Sequence, residues 1–413
     1  MKKVTAILIG AGLRGRIAYS SYALKHPDEF QVIAVAEPDD TRRTEFAKQH
    51  GIPLEMQFAD YKELLNKEKL ADCAMICTQD KMHFEPTILA LQKGYHVLCE
   101  KPMSPSKTEI VEMGKASKKY DRILSICHVL RYSPFFVKIK ELLEQQSIGK
   151  VMSIQHIEKV GYWHYAHSYV RGNWRRADES SPMIMAKCCY DLDILAWLVD
   201  SKCTTIQSFG ERSRFKEENA PKNAPNYCMD GCEHRDTCPY YAPKFYFEHE
   251  YAVGFVHAVS EDVCPESLSQ ALRKGPYGRC VYHCDNDVVD HQIVNMQFEN
   301  GVTATLTMSA FTSQCSREIH IMGTLGELKG NMDDATIELR SFVDGSVQCI
   351  RLDTPHVGHG GSDEKMMKDF VHRVAENKPT KTSADQSVES HLMALAAEDS
   401  RLHGSVVDLR SYV

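Results

Sequence analysis

The length, composition and charge of the chain exclude several classes of protein. Its 413 residues are about two to three times an average domain length, so we expect at least two packed units. Hydrophobic residues make up 43% and charged residues 25%, and 23 Gly and 16 Pro are too few for a long disordered or fibrous chain. The net charge of -7 provides no field that attracts nucleic acid or an anionic membrane, which favours a small-molecule partner.

The cysteine content and the apolar runs bear on the compartment of the protein. The chain carries 15 cysteines, but it is far longer than a disulfide-stapled secreted module, and Arg14 and Arg16 interrupt its first apolar run. No stretch approaches the roughly 18 apolar residues of a membrane span. We therefore expect a soluble protein of the reducing cytoplasm.

The first part of the chain alternates short β-rich runs with segments whose apolar residues recur three and four positions apart. This alternation predicts a parallel sheet wrapped by helices, a Rossmann-type doubly wound α/β domain over residues 1–128. The predicted strands are Val4 to Gly10, Phe30 to Glu37, Asp72 to Thr78, Tyr95 to Cys99 and Arg122 to Cys127. The predicted helices are Leu13 to Lys25, Thr41 to His50, Phe84 to Lys93 and Lys107 to Lys119.

The second part, residues 129–413, has the sequence pattern of an α+β domain. A linking helix over Tyr132 to Gln146 precedes a run of strands, which predicts a large open, mostly antiparallel sheet. The predicted strands are Met152 to Val160, Thr204 to Gly210, Gln292 to Phe298, Thr303 to Phe311, Ser316 to Met322 and Glu327 to Gly330. The exposed face of such a sheet suggests a homo-oligomer, a dimer or tetramer.

A segment with little periodicity, at about 211–290, separates two of these strands. It is far too long for an ordinary loop, so we expect a functional insertion with its own means of anchoring.

A glycine-rich turn follows the first predicted strand and opens the first helix. In the sequence Gly10-Ala11-Gly12-Leu13-Arg14-Gly15 the first glycine permits a tight turn, the second lets backbone approach a pyrophosphate, and the third lets helix and strand pack closely. Glu37, at the end of the second strand, is placed to accept hydrogen bonds from ribose hydroxyls and to repel a 2′-phosphate. The pattern predicts a dinucleotide site that favours NAD over NADP, although Arg42 and Arg43 could instead line a 2′-phosphate site.

The sequence Glu100-Lys101-Pro102, directly after the strand Tyr95 to Cys99, resembles the glucose–fructose oxidoreductase and inositol dehydrogenase family, called Gfo/Idh/MocA. Three further segments agree with it: Thr78-Gln79-Asp80 with His83, Trp174-Arg175 through Ser180-Ser181-Pro182 to Asp193, and Ala384 to Val413. The resemblance implies an NAD-dependent oxidoreductase with Thr78, Gln79, His83, Glu100 and Lys101 around the nicotinamide ribose.

Lys101 and Tyr190 are the candidate catalytic residues. A lysine at the C-terminal edge of a parallel sheet lies where such folds hold ligands, and it could exchange the proton of a substrate hydroxyl as hydride moves. Glu100 is expected to orient the lysine or the cofactor. The family usually carries an acid, a histidine and an aspartate where this chain has Ala186, Tyr190 and Asp193. Tyr190 is therefore expected to transfer the proton, as a phenolate favoured by Lys101 and Lys187, or else to be a buried core tyrosine.

The substrate side combines flat aromatic faces with hydrogen-bonding groups, which suits a sugar or polyol. An aromatic loop that only packs on the second domain is the alternative for part of this set. The candidate substrate-binding residues are His128, Arg131, Trp163, His164, Arg171, Trp174, Lys187 and Tyr190.

The insertion holds a dense cluster of cysteines. In a reducing compartment such clusters more often bind metal than form disulfides, and tetrahedral zinc would fold an insertion that lacks its own core. An iron–sulfur cluster is the alternative metal centre, and free thiols remain a further possibility. The candidate metal ligands are Cys228, Cys232, Cys238, Cys280 and Cys284.

Three functions fit the sequence. The first is an NAD-dependent dehydrogenase of a sugar, glycoside or polyol. The second is a glycoside hydrolase that keeps its NAD bound and acts through a transient keto-sugar. The third is a non-catalytic NAD-binding sensor, which the missing acid–histidine pair favours.

Overall fold

The computed structural model describes residues 2–353 and 361–412, and its first half is a parallel α/β unit. The first sheet contains Val4–Ile9 (β1), Phe30–Ala36 (β2), Gln57–Phe58 (β3), Cys73–Ile76 (β4), His96–Cys99 (β5) and Leu124–Ile126 (β6). A π-helical turn over Arg14–Tyr19 follows β1, and the helices are Ser21–Lys25, Asp40–His50, Tyr61–Asn66, Phe84–Gln92 and Lys107–Tyr120. The predicted Rossmann architecture is confirmed.

Local sequence explains where these helices begin and end. The Asp39 carboxylate accepts a hydrogen bond from Arg42 N at 2.8 Å and so caps the helix Asp40–His50. That helix ends at Gly51, whose φ of 66° suits a residue without a side chain.

The strand order places a ligand crevice at the centre of the first sheet. The order is β3-β2-β1-β4-β5-β6, and all the pairings are parallel. The chain therefore crosses over between β1 and β4, and ligands of such sheets bind outside the carboxyl ends of the strands at that point. The segments that begin at Gly10, Glu37, Cys77 and Glu100 all leave the sheet at this edge.

The second half is built on one large sheet of mixed direction. It contains Val151–Lys159 (β7), Cys203–Glu211 (β8), His291–Phe298 (β9), Thr303–Ser309 (β10), Ser316–Gly323 (β11), Gly326–Asn331 (β12), Thr336–Ser341 (β13), Val347–Arg351 (β14) and Val407–Asp408 (β15). The order is β14-β13-β12-β11-β7-β10-β9-β8-β15, and only β7 and β10 pair in parallel. The predicted open, mostly antiparallel sheet is confirmed.

The helices of the second half pack on this sheet, on one another and on the first domain. They are Pro134–Glu144, Tyr162–Tyr165, Met183–Ala186, Cys189–Val199, Ser362–Glu376 and Ala384–His403, with a π-helical turn over Ala166–Arg171. The helix Ala384–His403 packs on β8, on Cys189–Val199 and on Lys107–Tyr120 of the first domain. It therefore fastens the two halves together. Val413, the last residue of the predicted closing segment, lies outside the described residues.

The insertion has a core of its own, which corrects the expectation that it lacks one. It forms the helices Ala242–Glu248, Val256–Val259 and Pro265–Lys274. A separate hydrophobic cluster joins it to the loop after β7 and consists of Trp163, Cys228, Ala242, Phe245, Tyr246, Ala252, Leu268 and Leu272. Apolar burial of this kind stabilises a segment without a metal ion.

No helix within the described ranges is both long enough and apolar enough to cross a bilayer.

The glycine turn after β1 allows a direct test of the packing at this edge. A Cβ at Gly15 would lie 2.3 Å from Gly10 O, whereas a Cβ at Gly12 would have no atom within 4 Å. We expect Gly15→Ala to lower the free energy of unfolding by about 1–3 kcal/mol, the usual cost of overpacking. Gly12→Ala, the matched control, should leave it nearly unchanged. Urea unfolding of both variants measures the difference, and equal losses would contradict this packing.

Candidate active site

The glycine turn leaves an open approach to backbone at the crevice. Gly10 has a φ of 90°, and a Cβ there would lie 2.6 Å from Cys77 O of the next parallel segment. The Cβ position of Gly12 faces open space. Leu13 is half-buried and precedes the π-helical turn. The turn therefore meets the requirement of a pyrophosphate site, close backbone access next to the start of a helix.

Glu37 lies beside this turn and is almost completely buried. Its carboxylate accepts hydrogen bonds from Ala11 N at 2.8 Å and from Asp39 N at 3.1 Å. The end of β2 and the glycine turn are thus held together by one negative charge. A carboxylate at this place fits ribose hydroxyls as ligands and opposes a 2′-phosphate.

Arg14 points toward the other end of the crevice. Its Nε donates to Glu100 Oε1 at 2.8 Å, and its Nη2 lies 2.6 Å from Asp363 Oδ1. Tyr19 OH also donates to Glu100 Oε1, at 2.5 Å. The predicted cofactor residue Arg14 therefore has a structural task as well, because it orients Glu100.

The segment after β4 is held by side chain to backbone contacts. His83 is buried, with Nδ1 2.6 Å from Pro102 O and Nε2 3.0 Å from Thr78 O. Thr78 Oγ1 donates to Met82 O at 3.0 Å, and Gln79 is exposed in an extended conformation. His83 thus joins the segment after β4 to the one after β5, and both face the crevice.

Lys101 leaves β5 with its ammonium fixed between two elements. Its Nζ donates to Ala186 O at 2.7 Å and lies 4.6 Å from the ring centroid of Tyr190. Its backbone N–H donates to Glu100 Oε2 at 2.7 Å. Hydrogen bonds within the described residues use one of the three ammonium donors, and the side chain is half-buried. Lys101 can therefore hold or move a proton at the crevice.

Glu100 carries its charge inside the protein. Burial by itself raises the pKa of Glu100, but Arg14, Lys101 and the Tyr19 hydroxyl outweigh burial and hold the pKa below its usual value. Glu100 is thus a carboxylate at neutral pH.

Tyr190 lies with its ring under the Lys101 ammonium. Burial raises the pKa of the Tyr190 hydroxyl well above its usual value, and the charge of Glu100 raises it further. The expected phenolate is therefore wrong, because Lys101 contacts the ring face and Lys187 is paired elsewhere. The residue is a neutral phenol, which can donate a proton but is a poor base.

Two buried histidines lie behind Tyr190. The His128 ring is 6.1 Å from that of Tyr190 and 5.4 Å from that of His391. Burial lowers the pKa of His128 to about 4 and that of His391 to about 3. His391 accepts a hydrogen bond from Met103 N at 2.9 Å, whereas neither ring nitrogen of His128 has a hydrogen-bond partner among the described residues.

Three predicted substrate residues have other tasks. Arg131 forms a bidentate pair with Asp193, at 2.7 and 2.8 Å. Arg171 donates to Arg279 O and to Tyr240 O, both at 2.7 Å. Trp163 is buried in the insertion core. These contacts hold the fold, and the assignment of the three side chains to substrate stays a prediction.

Lys187 and His164 converge on a thiol that sequence reasoning missed. Lys187 Nζ lies 3.7 Å and His164 Nδ1 3.4 Å from Cys315 Sγ. Lys187 also pairs with Glu158 Oε1 at 3.2 Å. Burial alone would lower the pKa of Lys187, but Cys315 and Glu158 raise it above its usual value.

Asp80 was also missed as a functional side chain. It is almost completely buried and accepts hydrogen bonds from Trp174 Nε1 at 3.0 Å and from Ser181 Oγ at 2.5 Å. It therefore anchors the segment that carries Trp174 to the first domain. Its place directly after Thr78-Gln79 was the available signal.

Two family models match this chain. A model described as an oxidoreductase family with an NAD-binding Rossmann fold matches residues 4–128, and its C-terminal alpha/beta counterpart matches residues 140–409. The chain belongs to the Gfo/Idh/MocA oxidoreductase family. The resemblance stated from sequence is confirmed.

Curated relatives of this Gfo/Idh/MocA chain share modest identity. YteT of Bacillus subtilis, named as an oxidoreductase, is 22% identical over 326 residues, which are 75% of this chain and 74% of YteT. The trans-1,2-dihydrobenzene-1,2-diol dehydrogenase of Sus scrofa is 32% identical over 148 residues. That match covers 36% of this chain and only 43% of the pig enzyme.

Solved structures agree with this Gfo/Idh/MocA fold over nearly the whole chain. A levoglucosan dehydrogenase in complex with NADH and levoglucosan has a TM-score of 0.73 at 18% identity, covering 98% of this chain and 99% of its own. The myo-inositol 2-dehydrogenase of Lactobacillus plantarum has a TM-score of 0.68 at 16% identity, with the same coverage. At such identities the likeness establishes the fold.

The predicted metal centre of this Gfo/Idh/MocA chain finds no support. Within residues 2–353 and 361–412, no group of three or more His, Cys, Asp or Glu side chains could hold a metal ion. The predicted ligands have other contacts: Cys228 Sγ lies 3.7 Å from Arg171 Nη2, and Cys284 Sγ donates to Cys280 O at 3.3 Å. Cys232 and Cys238 are half-buried free thiols. Apolar packing stabilises the insertion.

The buried histidines of the Gfo/Idh/MocA site predict an acid-sensitive fold. Their folded pKa values, about 4 for His128 and about 3 for His391, lie below the usual 6.5. At a pH between 6.5 and these folded values, the unfolded chain binds protons that the folded chain does not. The free energy of unfolding therefore falls as the pH drops below 6.5. In His391→Gln the side chain can still accept from Met103 N.

Between pH 7 and pH 5, we expect the free energy of unfolding to fall by about 1–2 kcal/mol less in His391→Gln than in the wild type. Urea unfolding at both pH values measures the loss. His403→Gln removes an exposed histidine and is the matched control. An identical pH dependence in wild type and His391→Gln would contradict the buried, neutral state of His391.

Proposed function

We propose that this protein is an NAD-dependent oxidoreductase that moves hydride between nicotinamide and a hydroxyl-bearing carbon of a sugar, glycoside or polyol. The observation that carries the proposal is the half-buried Lys101 ammonium at the C-terminal edge of the parallel sheet, fixed by Ala186 O and the Tyr190 ring. Relatives named as diol, levoglucosan and inositol dehydrogenases support the substrate class.

We propose that the cofactor binds along the crevice outside the carboxyl ends of the parallel strands. The turn of Gly10, Gly12 and Gly15 would take the pyrophosphate, and Glu37 the adenosine ribose, which favours NAD over NADP. The remaining residues proposed to line the nicotinamide half are Thr78, Gln79, His83, Glu100 and Lys101. When bound, the dinucleotide supplies or accepts the hydride.

In the proposed mechanism, Lys101 Nζ exchanges the proton of the reacting hydroxyl. During reduction of a carbonyl the ammonium donates a proton to the oxygen, and during oxidation the amine removes one from the hydroxyl. Tyr190 keeps its proton and supports the Lys101 ammonium through its ring face. Glu100 fixes the backbone from which the lysine projects.

The proposed substrate contacts are the polar and aromatic groups on the second-domain side. They are His128, His164, Trp174, Lys187 and Tyr190. The buried imidazole of His128, whose nitrogens accept or donate no hydrogen bond among the described residues, suits a sugar hydroxyl or an ordered water.

We also propose the division into domains at residues 128 and 129, residence in the cytoplasm, and a homo-oligomer. The free state of all the described cysteines agrees with a reducing compartment. The outer face of the large sheet carries exposed Phe209, Ile157 and Ile293, which a partner subunit would cover.

A panel of sugars, polyols and aryl glycosides tests the proposed reaction. We expect reduced-nicotinamide absorbance to grow when protein and NAD meet an oxidisable member of the panel, because hydride then leaves the substrate. Release of aglycone without net absorbance would support the NAD-recycling hydrolase instead. Tight NAD binding without turnover on any member would support the sensor.

Lys101→Met tests the assignment of the proton to Lys101. The change keeps the length of the side chain but removes the amine, so we expect kcat to fall by about 10²–10⁴-fold. The NAD dissociation constant should stay within a few-fold, since the glycine turn and Glu37 are unaffected. Lys115→Met, on the exposed face of the helix Lys107–Tyr120, is the matched control. Undiminished kcat in Lys101→Met would remove this assignment.

A further inference from the structure

Glu261 of the insertion reaches the nucleotide end of the first domain. Its Oε2 lies 3.2 Å from Arg16 Nη2, and its Oε1 lies 3.2 Å from Arg42 Nε. One carboxylate from the second half of the chain is thus shared by two guanidinium groups of the first. The insertion therefore touches the dinucleotide-binding domain as well as the substrate-side loop.

Both arginines belong to the part of the crevice proposed to hold the adenosine ribose. Arg16 lies on the turn that follows the glycine motif, and Arg42 lies in the first turn of the helix after β2. Arg42 Nη1 is 3.7 Å from Glu37 Oε1, the carboxylate that faces the glycine turn. A phosphate on the ribose 2′ oxygen would therefore approach these two cations.

Both guanidinium groups already form ion pairs with carboxylates. Besides Glu261, Arg42 is 3.5 Å from Asp39 Oδ2, and Arg16 is 3.5 Å from Glu45 Oε2. Glu45 is largely exposed, whereas Glu261 is less so, and the Arg16 side chain is only 12% exposed. Since screening weakens an exposed pair more than a half-buried one, Glu261 is the stronger partner of Arg16.

We propose that Glu261 is a specificity-determining residue for the cofactor: it neutralises Arg16 and Arg42 and so denies them to a 2′-phosphate. The inference rests on the proposed NAD dependence and adds a second acidic residue, from outside the first domain, to Glu37. Arginine near the end of β2 is the usual means of binding a 2′-phosphate. Here Arg42 and Arg16 pair with a residue that lies 219 and 245 positions further along the chain.

Glu261→Gln tests this inference because it removes the charge and keeps the shape. Glu248→Gln, an exposed residue at the end of the helix Ala242–Glu248, makes the same charge change in the same insertion and is the matched control. Calorimetry measures the dissociation constants of NAD, NADP, adenosine 5′-monophosphate and adenosine 2′-monophosphate in the absence of turnover.

We expect Glu261→Gln to raise the ratio of NADP to NAD affinity by about tenfold, since the two freed guanidinium groups can form charge-assisted hydrogen bonds to the 2′-phosphate. Affinity for adenosine 2′-monophosphate should rise in parallel, and the gain should shrink at high salt. Adding Arg42→Gln to Glu261→Gln should cancel the gain. Glu248→Gln should leave the ratio unchanged.

Three results would overturn the inference: an unchanged ratio in Glu261→Gln, an equal change in Glu248→Gln, or a gain that survives Arg42→Gln. Failure of the proposed function looks different, because the wild type would then bind neither NAD nor NADP. A wild type that prefers NADP would overturn the cofactor preference together with the role of Glu261.

Discussion

The carboxylate of Glu100 is the contact on which the site depends. It receives Arg14 Nε, the Tyr19 hydroxyl and the backbone N–H of Lys101, all within 2.8 Å. Because Arg14 also pairs with Asp363, the same interaction joins the end of β5 to the second half of the chain. Removing Arg14 would leave the buried Glu100 carboxylate less compensated and so destabilise the fold. The position of the Lys101 ammonium is therefore set by the fold as a whole.

A second buried network holds the opposite wall. Arg317 on β11 lies 2.8 Å both from Glu158 Oε2 on β7 and from Asp191 Oδ1 on the helix Cys189–Val199. Lys187 completes the network through Glu158. Two cations thus balance two carboxylates. Burying this paired set costs less free energy of desolvation than burying a single unpaired ion. Since Tyr190 lies on the same helix as Asp191, this network fixes where the phenol meets Lys101.

The sequence is informative where the signal is local and uninformative where it depends on distant partners. Five of the six strands of the first sheet follow from the alternation of β-rich and helical segments, whereas β3 is only two residues long and gives no period. The strands β13 and β14 at the sheet edge are short and mostly polar, so no buried stripe marks them. Glu100-Lys101 could be recognised from its place after a strand. That Arg131 would pair with Asp193, and Arg171 with backbone of the insertion, could not, because each partner is at least 62 positions away.

The insertion packs through aromatic side chains against the loop after β7. Trp163 of the substrate-side loop stacks against Tyr251 and Phe245, with ring centroids 4.8 and 5.9 Å away. His167 Nδ1 lies 2.6 Å from the hydroxyl of Tyr246 in the same cluster. Aromatic burial and buried polar contacts, including those of Arg171, therefore order the segment together with the loop that carries His164. Because Glu261 of this segment also pairs with Arg16, the insertion contacts both the loop after β7 and the turn after β1.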